Sequence, residues 1–370
     1  MAVSADLVIA KGTCFPVFAY EVAQAIDLDA AERRLLAGAE RQTIKHKRRA
    51  PAYFEYEPAP LRVARQAEEH ALASYRTSPG VELVVYDFGA VSVSYAIPLA
   101  GSFAGAAGLA SELWGNERLL ADSRGHVERL LQDLGDAAVR PRIADFVEDY
   151  SIFLVEAFTD TCDAAALWTE YAPQVAQILR AEPRTLSQQE IGDATGSRLS
   201  FGPDDATFID TDAALVFDPE GDDVRAVLEF ANTQLLEMRF LDQQLDKALD
   251  RVYESLLRRP ERPWAVGSYG AELRRIARLQ LDGAILFEQV TNALKLVGEQ
   301  YLARVYSLAS RRFHLGEWDA SITRKLQTID GVYAKLADRA ATRRMEVLEW
   351  IIIVLIAVSL VVSVAAGLLH

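Results

Sequence analysis

The run Trp350–Leu369, WIIIVLIAVSLVVSVAAGLL, constrains this chain more than any other stretch. It holds no charge and no proline, and its small breaks are Ser359, Ser363 and Gly367. About twenty apolar residues at about 1.5 Å of rise each make a rod of about 30 Å, the thickness of a bilayer's hydrocarbon core. Each Ile, Leu or Val favours insertion by a few tenths of a kcal/mol, so the sum is about several kcal/mol. The competing reading is a core helix that is apolar all round. The run is taken as a transmembrane anchor, with Trp350, Ile351, Ile352, Ile353, Leu355 and Leu360 as its anchor residues.

Basic residues within about twenty positions of one end of a span mark the cytoplasmic side. Lys335, Arg339, Arg343 and Arg344 precede the run, and only His370 follows it. The start, MAVSADLVIAKG, shows neither an export signal nor an Arg-rich amphipathic transit segment. The expectation is therefore a single-pass, tail-anchored protein of the cell's inner membrane with its N-terminal body in the cytoplasm. An organellar inner membrane is the lesser reading.

The soluble part is long enough for two cores. Cys14 and Cys162 are the only cysteines, which excludes a disulfide framework and a cysteine-rich zinc site. A net charge of −14 argues against general nucleic-acid binding. One local exception is Arg41–Arg49, RQTIKHKRR, where Arg41, Lys45, Lys47, Arg48 and Arg49 form a candidate contact for anionic headgroups or RNA phosphates. A solvated loop is the plainer reading of the same run.

The first half alternates in a mixed α/β manner. Cys14–Ile26 reads as one or two strands, and Asp27 or Asp29 as the cap of a helix over Leu28–Ala39. Val81–Tyr86 and Ala90–Ile97 read as a hairpin turned at Asp87-Phe88-Gly89. Helices are predicted over Phe103–Trp114, Glu117–Leu134 and Ala164–Leu179. Further strands are predicted at Tyr150–Phe158, Arg198–Phe201, Thr207–Ile209 and Ala214–Phe217.

From Asp222 the periodicity changes. Val224, Leu228, Ala231, Leu235, Met238, Leu245, Leu249, Val252 and Leu256 recur at spacings of three and four, with Asp242 in the one skipped place. Pro260 and Pro263 stop that helix. A second helix is predicted from Ala271 to about Arg312, and a third runs past Gly316 into the terminal apolar run without a break. The reversals imply an antiparallel helical hairpin with a third coil strand. Its seam, Leu228, Leu235, Leu245, Leu249, Val252 and Leu256, serves packing within one chain or between copies.

No motif assembles an active site. Asp87-Phe88-Gly89 lacks the glycine loop, strand lysine and catalytic loop of a kinase. Gly101, Gly105 and Gly108 precede no GK[ST]. Asp210-x-Asp212 after an apolar strand resembles a magnesium phosphotransferase motif, but Ala214 stands where Thr or Val is usual. The acidic loop Asp218–Asp223 has its glycine misplaced for calcium. His46, His70, His126, His314 and His370 show no paired spacing. No catalytic, cofactor or metal residue is assigned, and no cofactor is expected.

Three segments together resemble the Rmd (required for meiotic nuclear division) family of membrane-anchored proteins: CFPVFAYEVAQAIDLDAAERRLL, VVYDFGAVSVSYAIP and MEVLEWIIIVLIAVSL. They place the family's helix start at Ile26-Asp27-Leu28, its hairpin glycine at Gly89 and its anchor junction at Leu348–Ile351. Departures are Ala357, Val358 and Ser359 where relatives often carry an acidic residue, and the poor fit of Arg180–Glu220. The resemblance implies a non-catalytic, oligomerising membrane protein.

These readings combine into an α+β chain: a mixed α/β head over 1–220, with possible subdomains 1–98 and 99–220, then a long antiparallel coiled-coil-like stalk over 221–346 and one transmembrane helix over 347–369. The expected role is an oligomerising scaffold or tether, not an enzyme, with lipid, further copies of itself and an unknown protein as partners. The alternatives are an RNA or anionic-lipid binder acting through Lys45–Arg49, and a magnesium-dependent phosphohydrolase using Asp210 and Asp212.

Overall fold

The computed structural model describes residues 7–39, 58–72, 74–257, 277 and 300–368; the side chains of some helical residues within these spans fall outside the description. Two compact units emerge, one of Met1–Phe240 with Phe287–Asp319 and one of Leu241–Leu286 with Ala320–His370. The division differs from the expected boundary after residue 220.

The first unit is built on β1 (Val8–Glu21), whose β-branched and aromatic residues favour an extended chain. β1 is longer than predicted, reaching back to Val8, and Ala25–Ile26 forms a separate short β2. Helix α1 (Leu28–Ala39) starts where expected: Oδ1 of Asp27 accepts the Ala30 N–H at 2.9 Å. After β3 (Leu61–Arg65) and the small hairpin β4 (Ala71–Leu72) and β5 (Tyr75–Arg76) come β6 (Val81–Val85), β7 (Ala90–Tyr95) and β8 (Ile97–Ser102). Gly89 turns β6 into β7 at φ +107°, and a Cβ there would meet the Ala23 carbonyl oxygen at 1.9 Å. That is why the Asp87-Phe88-Gly89 triplet ends in glycine; the turn needs it.

Helices α2 (Gly105–Leu113) and α3 (Glu117–Leu134) follow, with the Asn116 side chain accepting the Leu119 N–H to start α3. The chain continues through β9 (Ala138–Val139), β10 (Val147–Phe158), α4 (Ala164–Leu167), α5 (Ala172–Leu179) and α6 (Gln188–Ala194). One helix was expected where α4 and α5 stand; residues 168–171 separate them, and Pro173 sits in the first turn of α5. Strands β11 (Arg198–Leu199), β12 (Ala206–Ile209) and β13 (Ala213–Phe217) lead into α7 (Asp222–Leu257). Beyond it lie α8 (Gln300–Arg312) and α9 (Leu315–Leu368).

Nine strands join in one mixed sheet in the order β11-β12-β13-β10-β1-β7-β6-β3, with β8 also on β1. β1 is the axis. β10 runs antiparallel along one of its edges, while β8 and β7 share the other, opposite Val8–Cys14 and Val17–Glu21 respectively. Among the described residues only β10 and β13 pair in parallel. Because side chains alternate across a strand, Phe18 and Tyr20 face one way and Val17, Ala19 and Glu21 the other.

Onto the Phe18 face pack α1, α2, α3 and α5. Leu35, Leu109, Leu130 and Val175 meet Leu83, Val93 and Phe153 in one apolar core. Each such side chain, fully removed from water, contributes about 1.5–3 kcal/mol. The opposite face is covered differently. There α7 contributes Glu229, Asn232 and Arg239 to hydrogen bonds with Ser92 and Glu148 of the sheet, and Tyr150 packs edge-on against Phe313 just past α8.

The helical segment expected to form a free-standing stalk from 221 therefore starts as part of the sheet's own covering. Residues 226–238 of α7 are buried at every position, polar ones included. Seam residues Leu228 and Leu235 lie here. Leu245 is buried and Leu249 half-buried within the second unit, whereas the side chains of Val252 and Leu256 are outside the description. In that unit Leu245 and Ala248 are buried on α7, and Ile322 and Ile329 on α9. Lys325 bridges Asp242 at 2.8 Å and Asp246 at 2.6 Å, and Ser321 donates to Asp242 at 3.1 Å. Asp242, the polar gap in the seam, is thus an ion-pair position.

The transmembrane expectation is corrected. Among the described residues no helix is long and apolar enough to cross a membrane. α9 is continuous over Leu315–Leu368. Trp350, Ile351, Ile352, Ile353 and Leu355 are all exposed. The side chains of Leu360 and of the topology residues Arg339, Arg343 and Arg344 lie outside the description. The fold is α+β around a large mixed sheet. The transmembrane helix, the tail-anchored architecture and the placement in an inner membrane fall with that finding.

Candidate functional site

Three clusters of ionisable side chains stand out in the first unit. The first surrounds Asp122 on α3. Tyr95, at the end of β7, donates its hydroxyl to Asp122 Oδ2 at 2.7 Å. His70 Nε2 lies 3.2 Å and His126 Nε2 3.4 Å from the same oxygen. His126 shares the α3 face of Asp122 through i,i+4 spacing. His70 is held by the small β4–β5 hairpin, its N–H on Thr77 Oγ1 at 2.8 Å and its carbonyl accepting the Thr77 N–H at 3.0 Å.

Burial pushes the Asp122 carboxyl up, but the Tyr95 hydrogen bond and the two imidazoles outweigh it and hold the group below its ordinary range. His126 is pushed down, chiefly by burial and then by Arg129. Its Nδ1 finds no hydrogen-bond partner among the described residues. A cavity of about 190 Å³ adjoins the cluster, lined by His70, Leu72, Glu112, Asn116, Arg118 and Leu119. A neighbouring hollow of about 490 Å³ shares Glu112, Asn116 and Arg118 and carries the exposed Trp114. Chemically this arrangement orients two imidazoles on one carboxylate beside a small recess.

Asp210 centres the second cluster. It is fully buried, Arg312 of α8 reaches its Oδ1 at 2.6 Å and 2.9 Å, and Arg180 lies 3.1 Å from Oδ2. Both arginines also pair with Asp193 of α6. Asp212 instead accepts from Thr211 Oγ1 at 2.9 Å. The Asp210-x-Asp212 motif therefore presents one carboxylate neutralised by two guanidiniums and one turned to its own turn. Such an Asp210 is a clamp between β12, α6 and α8.

The third cluster lies under α7. Arg225, Glu229, Thr233 and Glu237 recur every four residues and so lie on one stripe of the helix. Arg225 and Arg62 meet Glu82 at 2.6 and 3.1 Å, Ser92 donates to Glu229 at 2.7 Å, and Arg239 grips both oxygens of Glu148 at 2.5 and 2.7 Å. Even so, burial raises the Glu148 carboxyl to about 7, against the pull of Arg239. Glu21 and Glu237 are buried as well, and burial raises both carboxyls.

Sequence reasoning found Asp210 and missed the other two clusters. His70 and His126 stand far apart in the chain, so no spacing announces them. The α7 stripe was legible as an i,i+4 run of polar residues, but the apolar seam through the same helix drew the reading. Arg41, Lys45, Lys47, Arg48 and Arg49 lie outside the described residues. No group of three or more His, Cys, Asp or Glu side chains is placed to hold a metal ion among the described residues.

Fold and clusters define a two-unit α+β protein whose ionisable groups largely answer one another. The chain belongs to the family described as "Uncharacterized protein MJ0711, N-terminal domain", which matches residues 11–223. It is similar to "Uncharacterized protein MJ0711" of Methanocaldococcus jannaschii, 22% identical over 226 residues that cover 60% of this chain and 67% of that protein. No solved structure matches. The family shown is an uncharacterised one, and nothing in these matches concerns the Rmd family. The Asp122 cluster lies wholly inside the matched span, which closes at the first turn of α7.

Proposed function

We propose that this protein is a non-catalytic scaffold that assembles with further copies of itself through its helical unit. The carrying observation is the α9 surface: Met345, Leu348 and every residue from Trp350 to Val358 except Ala357 are large apolar side chains at least 47% exposed in the single chain. A helix apolar on all sides is stable in water only when other surfaces cover it. The segment resembling the Rmd family, LEWIII, supports the same reading. Asp210, occupied by Arg180 and Arg312, offers no free nucleophile, so the geometry favours a scaffold over a phosphohydrolase.

The test is multi-angle light scattering with chemical crosslinking on the full chain, held in a mild detergent to keep the apolar face from aggregating. A discrete oligomer is expected, dissociated by Ile352→Glu with Ile356→Glu. A strictly monomeric parent chain overturns the reading.

A further inference from the structure

We propose that the recess beside His70 binds a free α-amino acid with an apolar side chain. The recess holds about 190 Å³, the liquid share of about six waters. Sites for drug-sized ligands run to about 300–1,000 Å³, so the occupant here is smaller than those. Its walls are of two kinds. Leu72 and Leu119 are buried and, with Ala71, make an apolar side. Glu112, Asn116, Arg118 and His70 make the polar side.

The polar side carries one uncommitted charge of each sign. Among the described residues, neither the Glu112 carboxylate nor the Arg118 guanidinium is engaged in an ion pair or hydrogen bond. Elsewhere in the first unit, Asp210, Glu82 and Glu148 each meet an arginine. The turn that carries the two free charges is fixed. Asn116 accepts the Leu119 N–H at 3.0 Å and donates to the Glu112 carbonyl at 3.0 Å, so one side chain ties the end of α2 to the start of α3. Gly115 makes the reversal at φ +62°. His70 is fixed as well: its backbone pairs with Thr77, and its Nε2 lies 3.2 Å from Asp122, which Tyr95 holds from the sheet. Residues already ordered in this way lose little freedom when a ligand arrives.

An amino acid zwitterion answers each part of this lining. Its carboxylate suits the planar fork of Arg118, its ammonium suits Glu112, and its side chain is removed from water against Leu72 and Leu119. A simple carboxylic acid leaves Glu112 unanswered, and a simple amine leaves Arg118 unanswered. Phosphate and other multiply charged anions are repelled by Glu112. The site belongs wholly to the first unit, so it stands or falls independently of the self-assembly proposed above.

Saturation-transfer NMR on the full chain in mild detergent tests this with L-alanine, L-valine and L-leucine as probes. At least one of the three is expected to bind. Isovalerate and isobutylamine, which are valine without its ammonium and without its carboxylate, are expected to bind about tenfold more weakly than L-valine or worse, since each forfeits one charge-assisted contact. Arg118→Ala and Glu112→Ala change exposed side chains that hold nothing else in place, and each is expected to weaken amino acid binding by about tenfold or more. Absence of binding by all three amino acids overturns the proposal. So does binding that survives both substitutions, which puts the ligand elsewhere, or isovalerate binding equal to that of L-valine, which removes the role of Glu112.

Discussion

The two faces of the one sheet make an instructive contrast. They are drawn from the same strands, alternate residues going to each side, yet the face under α1, α2, α3 and α5 is an apolar core, while the face under α7 buries Glu21, Ser92, Ser94, Glu148, Glu229 and Glu237. On the first face stability comes from area removed from water and tolerates any partner of suitable volume. On the second it depends on pairing, because each buried charge left alone is costly. Packing there fixes which α7 residue meets which strand residue: Glu229 finds Ser92, and Asn232 and Arg239 find Glu148.

Three substitutions probe this contrast, in falling order of effect. Phe153→Ala removes a fully buried ring from the apolar face and leaves a cavity; urea denaturation is expected to show a loss of about 4 kcal/mol. A loss under 1 kcal/mol would mean that this core collapses around the gap. On the charged side, Arg312→Ala takes one of two guanidiniums from the buried Asp210 carboxylate, with an expected loss of about 3 kcal/mol. Arg312→Ala combined with Asp210→Ala should recover part of that loss; a double variant worse than the sum of the singles would contradict the clamp. Smallest is Tyr95→Phe, which deletes one hydrogen bond to the partly exposed Asp122, for about 1 kcal/mol in the same assay. It should also raise the Asp122 carboxyl towards its ordinary range, since the hydroxyl is the foremost group holding it down. Carboxyl carbon NMR titration reads that shift, and an unmoved Asp122 would show that the two histidines suffice.

α7 shows where a sequence reading can mislead. Its apolar residues do recur at coiled-coil spacing, and Leu228, Leu235 and Leu245 are buried as that spacing predicts. A seam alone, however, leaves the other side of a helix in water, whereas Glu229, Asn232, Thr233, Gln234 and Glu237 are buried as well. Gln234, for instance, accepts from the Tyr306 hydroxyl of α8. The polar side chains were visible all along as an i,i+4 stripe, but nothing local distinguishes a solvated stripe from one that meets complementary charges. The apolar run at Trp350 carries a related lesson. Its hydropathy was plain, yet among the described residues it does not amount to a span.

Local chemistry alone determined much of this protein. The Asp27 and Asn116 caps, the Gly89 turn, the β6–β7 hairpin and the full length of α3 follow from near neighbours in the chain, because capping hydrogen bonds, left-handed φ values and side-chain periodicity act within a few residues. The nine-stranded order, the meeting of His70 with His126 on Asp122 and the Asp210 clamp were decided only in three dimensions. Each joins residues tens or hundreds of positions apart, and which partner a buried charge finds depends on how whole strands and helices are stacked.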